Sequence, residues 1–380
     1  MPKLPLIVIA QFFCTSLWFA GNAVFSNLSA HGSAVIQFGF ITGTLSYALT
    51  QLADRYSPAK VFFISAIFAG LSNLGLIIPN IETNSILIFR FLTGLFLAGI
   101  YPVGMKIAAD YFEKGLGLAL GFLVGALVLG TSLPHLLSAF DTKLDVNFVV
   151  YATSGLSFAG GLLIYLFVPD GPFRKQGQKL QFGSIFQPFK DSAFRSAAFG
   201  YFGHMWELYT FWAFVPFLFA LKRPSTDLIL NQFGKNYSAW YFAIIAIGAL
   251  ACISSGFFSK KIGAWKTAFI ALFSSGLCCL ISPWAVLLPF PVYFGFLLFW
   301  GFMVVADSPM FSTLVAQNVS PSQKATALTI VTCIGFSITI LSIELLHYLT
   351  WNGKLSENYI GWVLLPGPLF GIISMLKNRS

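Results

Sequence analysis

Eight ionisable side chains stand within long apolar runs of this chain: Arg90, Lys106, His135, His204, Glu207, Asp307, Glu344 and His347. Each costs at least about 2.5 to 3.5 kcal/mol in a hydrocarbon setting, so each needs a structural or chemical reason. At ~100° per residue of helix, Gly94, Leu97 and Tyr101 fall on the face of Arg90, where the guanidinium could anchor an anion, tune a nearby carboxylate, or bond between helices as a structural group. Lys106 stands 16 residues further on. That is about 24 Å along the axis and nearly on the opposite face, so the two cations cannot grip one small ligand. Asp110, one turn below, predicts an ion pair with Lys106; a substrate contact is the alternative. His204 and Glu207, three residues apart in His204-Met205-Trp206-Glu207, share a helical face and could relay a proton. Alternatively, Glu207 ties the first, seventh and eleventh apolar runs together.

Asp307-Ser308-Pro309 sets an acid beside a proline, which removes a backbone donor and frees a carbonyl, so a kink here could hold a cation or a proton. Pairing with a basic residue across a helix interface is the other reading of Asp307. Met303 and Met310 share its face, and Met205 adjoins His204. Thioether and imidazole groups suit copper, and His204, Met205, Met303 and Met310 form that alternative ligand set; flexible packing methionines give the same pattern. Glu344 and His347 read as an exposed helix end, and His135 as a packing histidine.

These residues need helices to position them. The chain is 57% hydrophobic and 9% charged with 43 Phe, far below the charge of about 25% on a soluble domain, so most of its surface must face hydrocarbon. Apolar stretches long enough to cross a ~30 Å core fall at 5–28, 34–53, 61–79, 85–109, 116–137, 147–168, 194–221, 236–257, 265–282, 288–315, 324–347 and 357–376. This is an all-α pattern of twelve transmembrane helices, six in 1–168 and six in 194–380, around a polar linker at 169–193. Strands of a membrane barrel would alternate apolar and polar residues, and nothing here alternates. The first run is too long for a secretory leader and holds Gln11, Trp18 and Asn22, so it reads as a retained helix.

Lys3, Arg55, Lys60, Lys114, Arg174, Lys175, Lys179, Lys190, Arg195, Lys260, Lys261, Lys266, Lys324, Lys377 and Arg379 fall on one side of this arrangement, against Lys143, Lys222, Arg223, Lys235 and Lys354 on the other. That bias predicts both termini in the cytoplasm, and a multi-pass protein of a bacterial inner membrane. The net charge of +9 is then a topology signal and leaves little for nucleic acid to explain. Cys14, Cys252, Cys278, Cys279 and Cys333 all lie in apolar runs as buried thiols, with neither a disulfide framework nor a zinc spacing. No phosphate-binding loop or nucleophile constellation points to an enzyme, and no cofactor is implied.

The two halves repeat. Arg55 aligns with Lys261 and Lys60 with Lys266 at an offset of 206, and Gly94 and Pro102 align with Gly301 and Pro309 at 207. Ala119-Leu120 returns as Ala327-Leu328 at 208, and Trp18 aligns with Trp212 at 194. Asp307 has Ile100 as its counterpart, so the kink is common to both halves and the charge is not. Parallel duplication of six helices is the build of one large transporter class whose halves rock about a midplane site.

Leu52-Ala53-Asp54-Arg55-Tyr56-Ser57-Pro58-Ala59-Lys60, between the second and third spans, resembles the signature loop of the major facilitator superfamily, with Asp54 and Arg55 matching residue for residue. Thr50, Ser57 and Pro58 stand where two glycines and an arginine are usual, and Lys60 can supply the lost charge. Arg90 followed by Gly94 fits the family's fourth-helix motif, whereas the Gly-Pro pair of its antiporter motif is not reproduced: Gly121, Gly125 and Gly130 are present and Pro134 arrives late. The resemblance implies a monomeric secondary active transporter working by alternating access, with Asp54, Arg55 and Lys60 at the inner gate. Gln11, Trp18, Asn22, Arg90, Tyr101, His204 and Trp212 are the candidate substrate-binding residues, and Glu207 and Asp307 the candidates for proton coupling. The expected cargo is a small polar anion, an organic anion or a carboxylate metal chelate, taken up with protons. Copper import, antiport efflux and a receptor without flux are the alternatives.

Overall fold

The computed structural model describes residues 3–24, 29–112, 116–139, 147–174, 186–222, 237–320 and 323–378. Lys114, Lys143, Lys175, Lys179, Arg223, Lys235 and Arg379 of the charge-bias argument, and residues 175–185 of the 169–193 linker, lie outside the described residues. The first half holds α1 (Leu4–Thr15, resuming at Ala20–Val24), α2 (Ser29–Thr50), α3 (Pro58–Leu74), α4 (Thr83–Leu97 and Tyr101–Tyr111), α5 (Leu116–Ala139) and α6 (Asn147–Phe167). The second holds α7 (Ser192–Ala220), α8 (Ser238–Ile262), α9 (Ala264–Ala285), α10 (Phe290–Ala306 and Ser308–Gln317), α11 (Lys324–Trp351) and α12 (Ile360–Leu364 and Pro366–Lys377). Among the described residues there is no strand.

Ten of these segments are long and apolar enough to cross a membrane. The other two, α2 and α7, have the length but too many polar side chains: α7 carries His204, Glu207, Tyr209 and Thr210, and α2 carries Gln37 and Thr44. α7 is buried along most of its length, whereas α2 packs on α11 with one face and exposes Phe38 and Leu49 on another. Four expected spans are broken rather than continuous. α1 unwinds over residues 16–19, α4 breaks before Pro102, α10 breaks at Asp307, before Pro309, and α12 breaks at Leu365, before Pro366. In the last three the ring removes one helical donor.

Close helix crossings repeat between the halves. A Cβ on Gly94 would lie 2.0 Å from Ile36 O of α2, and one on Gly301 would lie 2.1 Å from Ile244 O of α8. Gly94, which shares a helical face with Arg90, is therefore filled by the α2 backbone and gives the guanidinium no room. The halves meet along α2 with α11 and along α5 with α8. The α5 glycines do the latter: Cβ atoms on Gly121 and Gly125 would lie 3.2 Å from Cys252 O and 3.3 Å from Ala249 O.

Candidate functional site

The break in α1 exposes the carbonyl of Trp18, and Arg90 answers it. Its Nη2 donates to Trp18 O at 3.0 Å and to Asn22 Oδ1 at 2.9 Å, while Asn22 Nδ2 donates to Ser33 Oγ at 2.6 Å. Gly21 admits the guanidinium against the backbone, since a Cβ there would lie 2.8 Å from Arg90 Cδ. Arg90 is 2% exposed, yet its Nε and Nη1 have no hydrogen-bond partner among the described residues. Buried donors left open are costly in a low-dielectric setting and favour an anionic guest.

The Trp18 ring closes the seam between halves. It stacks on Tyr209 of α7 at 5.7 Å and on Phe336 of α11 at 5.8 Å, while Phe19 meets Trp212 edge-on at 6.4 Å. The indole Nε1 atoms of Trp18 and Trp212 are buried without hydrogen-bond partners among the described residues, as are both polar atoms of the Gln11 and Gln37 amides and the Thr44 hydroxyl. Gln11 lies over Gly104 of α4, three residues along from the half-buried Tyr101.

The second half contributes a buried ionisable pair that the sequence reading did not join. His204 Nδ1 of α7 lies 2.8 Å from Asp307 Oδ1 at the α10 break, both side chains 1% exposed. The contact lacks hydrogen-bond alignment, and His204 Nε2 and Asp307 Oδ2 have no hydrogen-bond partner among the described residues. Glu207 lies apart from this contact. Its carboxylate accepts from Trp300 Nε1 at 2.7 Å, Ser275 Oγ at 2.9 Å and Cys279 Sγ at 3.2 Å, which ties α7 to α9 and α10 rather than to α1 and α11. The carbonyl freed by Pro309, Val305 O, accepts the Cys252 thiol of α8 at 3.7 Å and so is not left open for a cation.

Towards the linker, Lys106 pairs with Asp54 at 2.8 Å instead of with Asp110. Arg174 bonds to the Asp54 and Tyr56 carbonyls and pairs with Asp170, and Ser57 Oγ donates to Asp170 Oδ1 at 2.6 Å. The acid of the signature loop is thus locked within the first half, and the serine replacing a glycine holds the segment after α6. Arg55 and Lys60, also assigned to this gate, form no ion pair among the described residues.

At the other face, His31 Nδ1 reaches Glu344 Oε1 at 3.0 Å and its ring lies 4.7 Å from His347. Glu344 and His347 therefore join the halves rather than simply facing water. His135 packs edge-on against Tyr241 at 5.9 Å, as a packing histidine should. Of the copper set, Met205 packs its Cγ under Gly335, and Met205 and Met310 are buried. Gln37, Thr44 and His31 were not singled out from sequence. Gln37 had a detectable signal, a lone amide in an apolar run.

The described sequence profile of the Major Facilitator Superfamily matches residues 5–343. The chain belongs to that superfamily. No curated protein sequence matches it. Its fold is similar to the crystal structure of the human organic anion transporter MFSD10 (TETRAN), at 14% identity and a TM-score of 0.74, covering 100% of both chains. It is also similar to a bacterial homolog of the human lysosomal transporter Spinster, inward-facing and unoccupied, at 15% identity and a TM-score of 0.65 over 100% of this chain and 99% of that one. The proton:xylose symporter XylE matches at 13% identity and a TM-score of 0.73 over 99% and 95%. As a member of the Major Facilitator Superfamily the protein is a multi-pass membrane protein and a secondary transporter of a small molecule, not an enzyme.

Proposed function

We propose that the protein takes up a small organic anion together with protons, as a monomer, with the linker face in the cytoplasm and the halves 1–168 and 194–380 rocking about the central seam. The observation that carries this reading is the buried His204–Asp307 contact at the α10 break, with open hydrogen-bonding positions on both side chains. A carboxyl and an imidazole held together without full alignment can take up and release a proton as the cargo or the conformation changes. Arg90, with two open buried donors, supplies the positive charge for the anion. Gln11, Gln37, Trp18 and Trp212 supply further open groups towards a polar cargo. Glu207, satisfied by three donors, acts as a strut between α7, α9 and α10. The fold neighbours include an organic anion transporter and a proton:xylose symporter, which agrees with the cargo and coupling proposed.

A thermal-shift screen of the purified protein against organic anions, carboxylate chelates, inorganic anions and metal ions tests the site. An anion at 100 times its Kd stabilises by about 2.7 kcal/mol, enough to raise Tm measurably. The expected result is a hit among the anions whose shift is largely lost in Arg90→Ala. Hits that bind the variant as well as the wild type would overturn the anion assignment.

A further inference from the structure

The second copy of the charged turn has no place in the transport scheme, and the repeat shows what it lacks. In the first half the turn is filled by the chain itself: Ser57 Oγ donates to Asp170 Oδ1 at 2.6 Å, and the Tyr111 hydroxyl donates to Pro169 O. The positions matching Ser57 and Tyr111, at offsets of 206 and 207, are Gly263 and Asn318. There the structure holds a cavity of about 350 Å³ instead, lined by Ser196, Gly263, Trp265, Lys266, Asn318 and Asn378 among others, with no acidic residue in the lining. The same offsets replace Asp54 by Lys260, Lys106 by Thr313 and Asp110 by Gln317, so the ion pair that closes the first turn is absent from the second. Lys260, Lys261 and Lys266 are exposed around it and make no ion pair with the described residues. Asp191, close to the lining residue Ala193, is engaged in capping α7 through Phe194 N at 2.8 Å.

We propose that this cavity binds the phosphate of an anionic phospholipid headgroup from the linker-face leaflet, an external acid standing where Asp170 stands in the first half. Clusters of Lys at a helix end recognise such headgroups. A lipid fits better than free phosphate because an aromatic ladder leads away from the cavity along the membrane-facing side of α9. Trp265 stacks on Phe269 at 5.2 Å and 9°, and Phe269 on Phe273 at 6.2 Å and 11°, with Phe273 46% and Ile270 51% exposed. That surface lies where acyl chains attached to a seated headgroup would run. The inference concerns the second half alone and does not depend on the cargo or the coupling ion.

Native mass spectrometry of the full-length protein, titrated with phosphatidylglycerol or phosphatidylcholine, reads the site directly. Phosphatidylglycerol should be retained in preference to phosphatidylcholine, and Lys266→Ala should weaken that retention about fivefold, the worth of one cation near such a surface. Asn318→Asp, which places a carboxylate in the cavity, should weaken it at least as much, while Lys354→Ala on the opposite face should leave it unchanged. Equal retention of phosphatidylglycerol by wild type, Lys266→Ala and Asn318→Asp would overturn the proposal. So would a thermal shift with inorganic phosphate that Lys266→Ala abolishes, if no lipid preference accompanies it, since the site would then take the free anion.

Discussion

The Arg90 guanidinium is bonded on one side and open on the other. Nη2 holds the broken end of α1 through Trp18 O and Asn22 Oδ1, and Nε and Nη1 have no partner among the described residues. Its spacing in the sequence gave a helical face with Gly94 and Tyr101; the actual neighbours come from α1, because Gly94 is occupied by the α2 backbone and Gly21 is the glycine that makes room. Position along one helix cannot report which other helix approaches, and that explains the difference. Gly21→Ala places a methyl 2.8 to 3.0 Å from three Arg90 atoms, an overpacking expected to cost about 1 to 3 kcal/mol and to lower Tm. A Tm equal to that of wild type would mean Arg90 does not rest on that backbone. Glu207→Gln should likewise lower thermal stability, by disturbing the bonds to Trp300, Ser275 and Cys279, while proton-driven uptake persists. Loss of the proton drive with stability unchanged would make Glu207 the coupling acid instead.

At the scale of elements, the helices were legible and their interruptions were only partly so. Each described boundary lies within about five residues of the apolar run that predicted it, because a membrane demands ~20 apolar helical residues whatever the cargo. Pro102 and Pro309 announced the breaks in α4 and α10, since a missing donor is written in the sequence. The break in α1 carries no proline, and its stabiliser, Arg90, lies 72 residues away. Polar content, which marked α7 as unusual, also lowers its hydropathy below that of a lipid-facing span; the same property that reveals a site conceals a membrane helix. Gly301→Val would set its Cβ 2.1 Å from Ile244 O, where α8 cannot yield without losing its crossing. Severe loss of folded protein in detergent is expected, and normal yield and Tm would show that α8 and α10 tolerate wider spacing.

Across the whole molecule, the polar contacts are unevenly placed between its two faces. Among the described residues the contact between ionisable side chains that joins the halves is His31–Glu344, at the face away from the linker, while Lys106–Asp54 stays within the first half and Arg174–Asp170 within the linker. With the Trp18, Tyr209 and Phe336 stack behind it, the first contact closes that face. The proposed rocking of the halves requires this contact to part, so His31→Cys with Glu344→Cys, bridged by a short bis-thiol reagent, should arrest transport, whereas either single variant treated alike should not. The repeat, the positive bias and the signature loop made the two-fold architecture readable from sequence. The central pair was not, because His204 and Asp307 are 103 positions apart, and the nearer acid, Glu207, was the obvious partner.

Proton coupling through that pair is tested most directly in proteoliposomes loaded at alkaline pH and diluted into acidic buffer with the anion found by thermal shift. Wild type should accumulate the anion above equilibrium. Asp307→Asn should fail to accumulate it yet still exchange labelled for unlabelled anion across the membrane, because exchange needs the cargo site and the rocking but no net proton movement. Accumulation by Asp307→Asn equal to that of wild type would contradict the assignment of the proton to the His204–Asp307 pair.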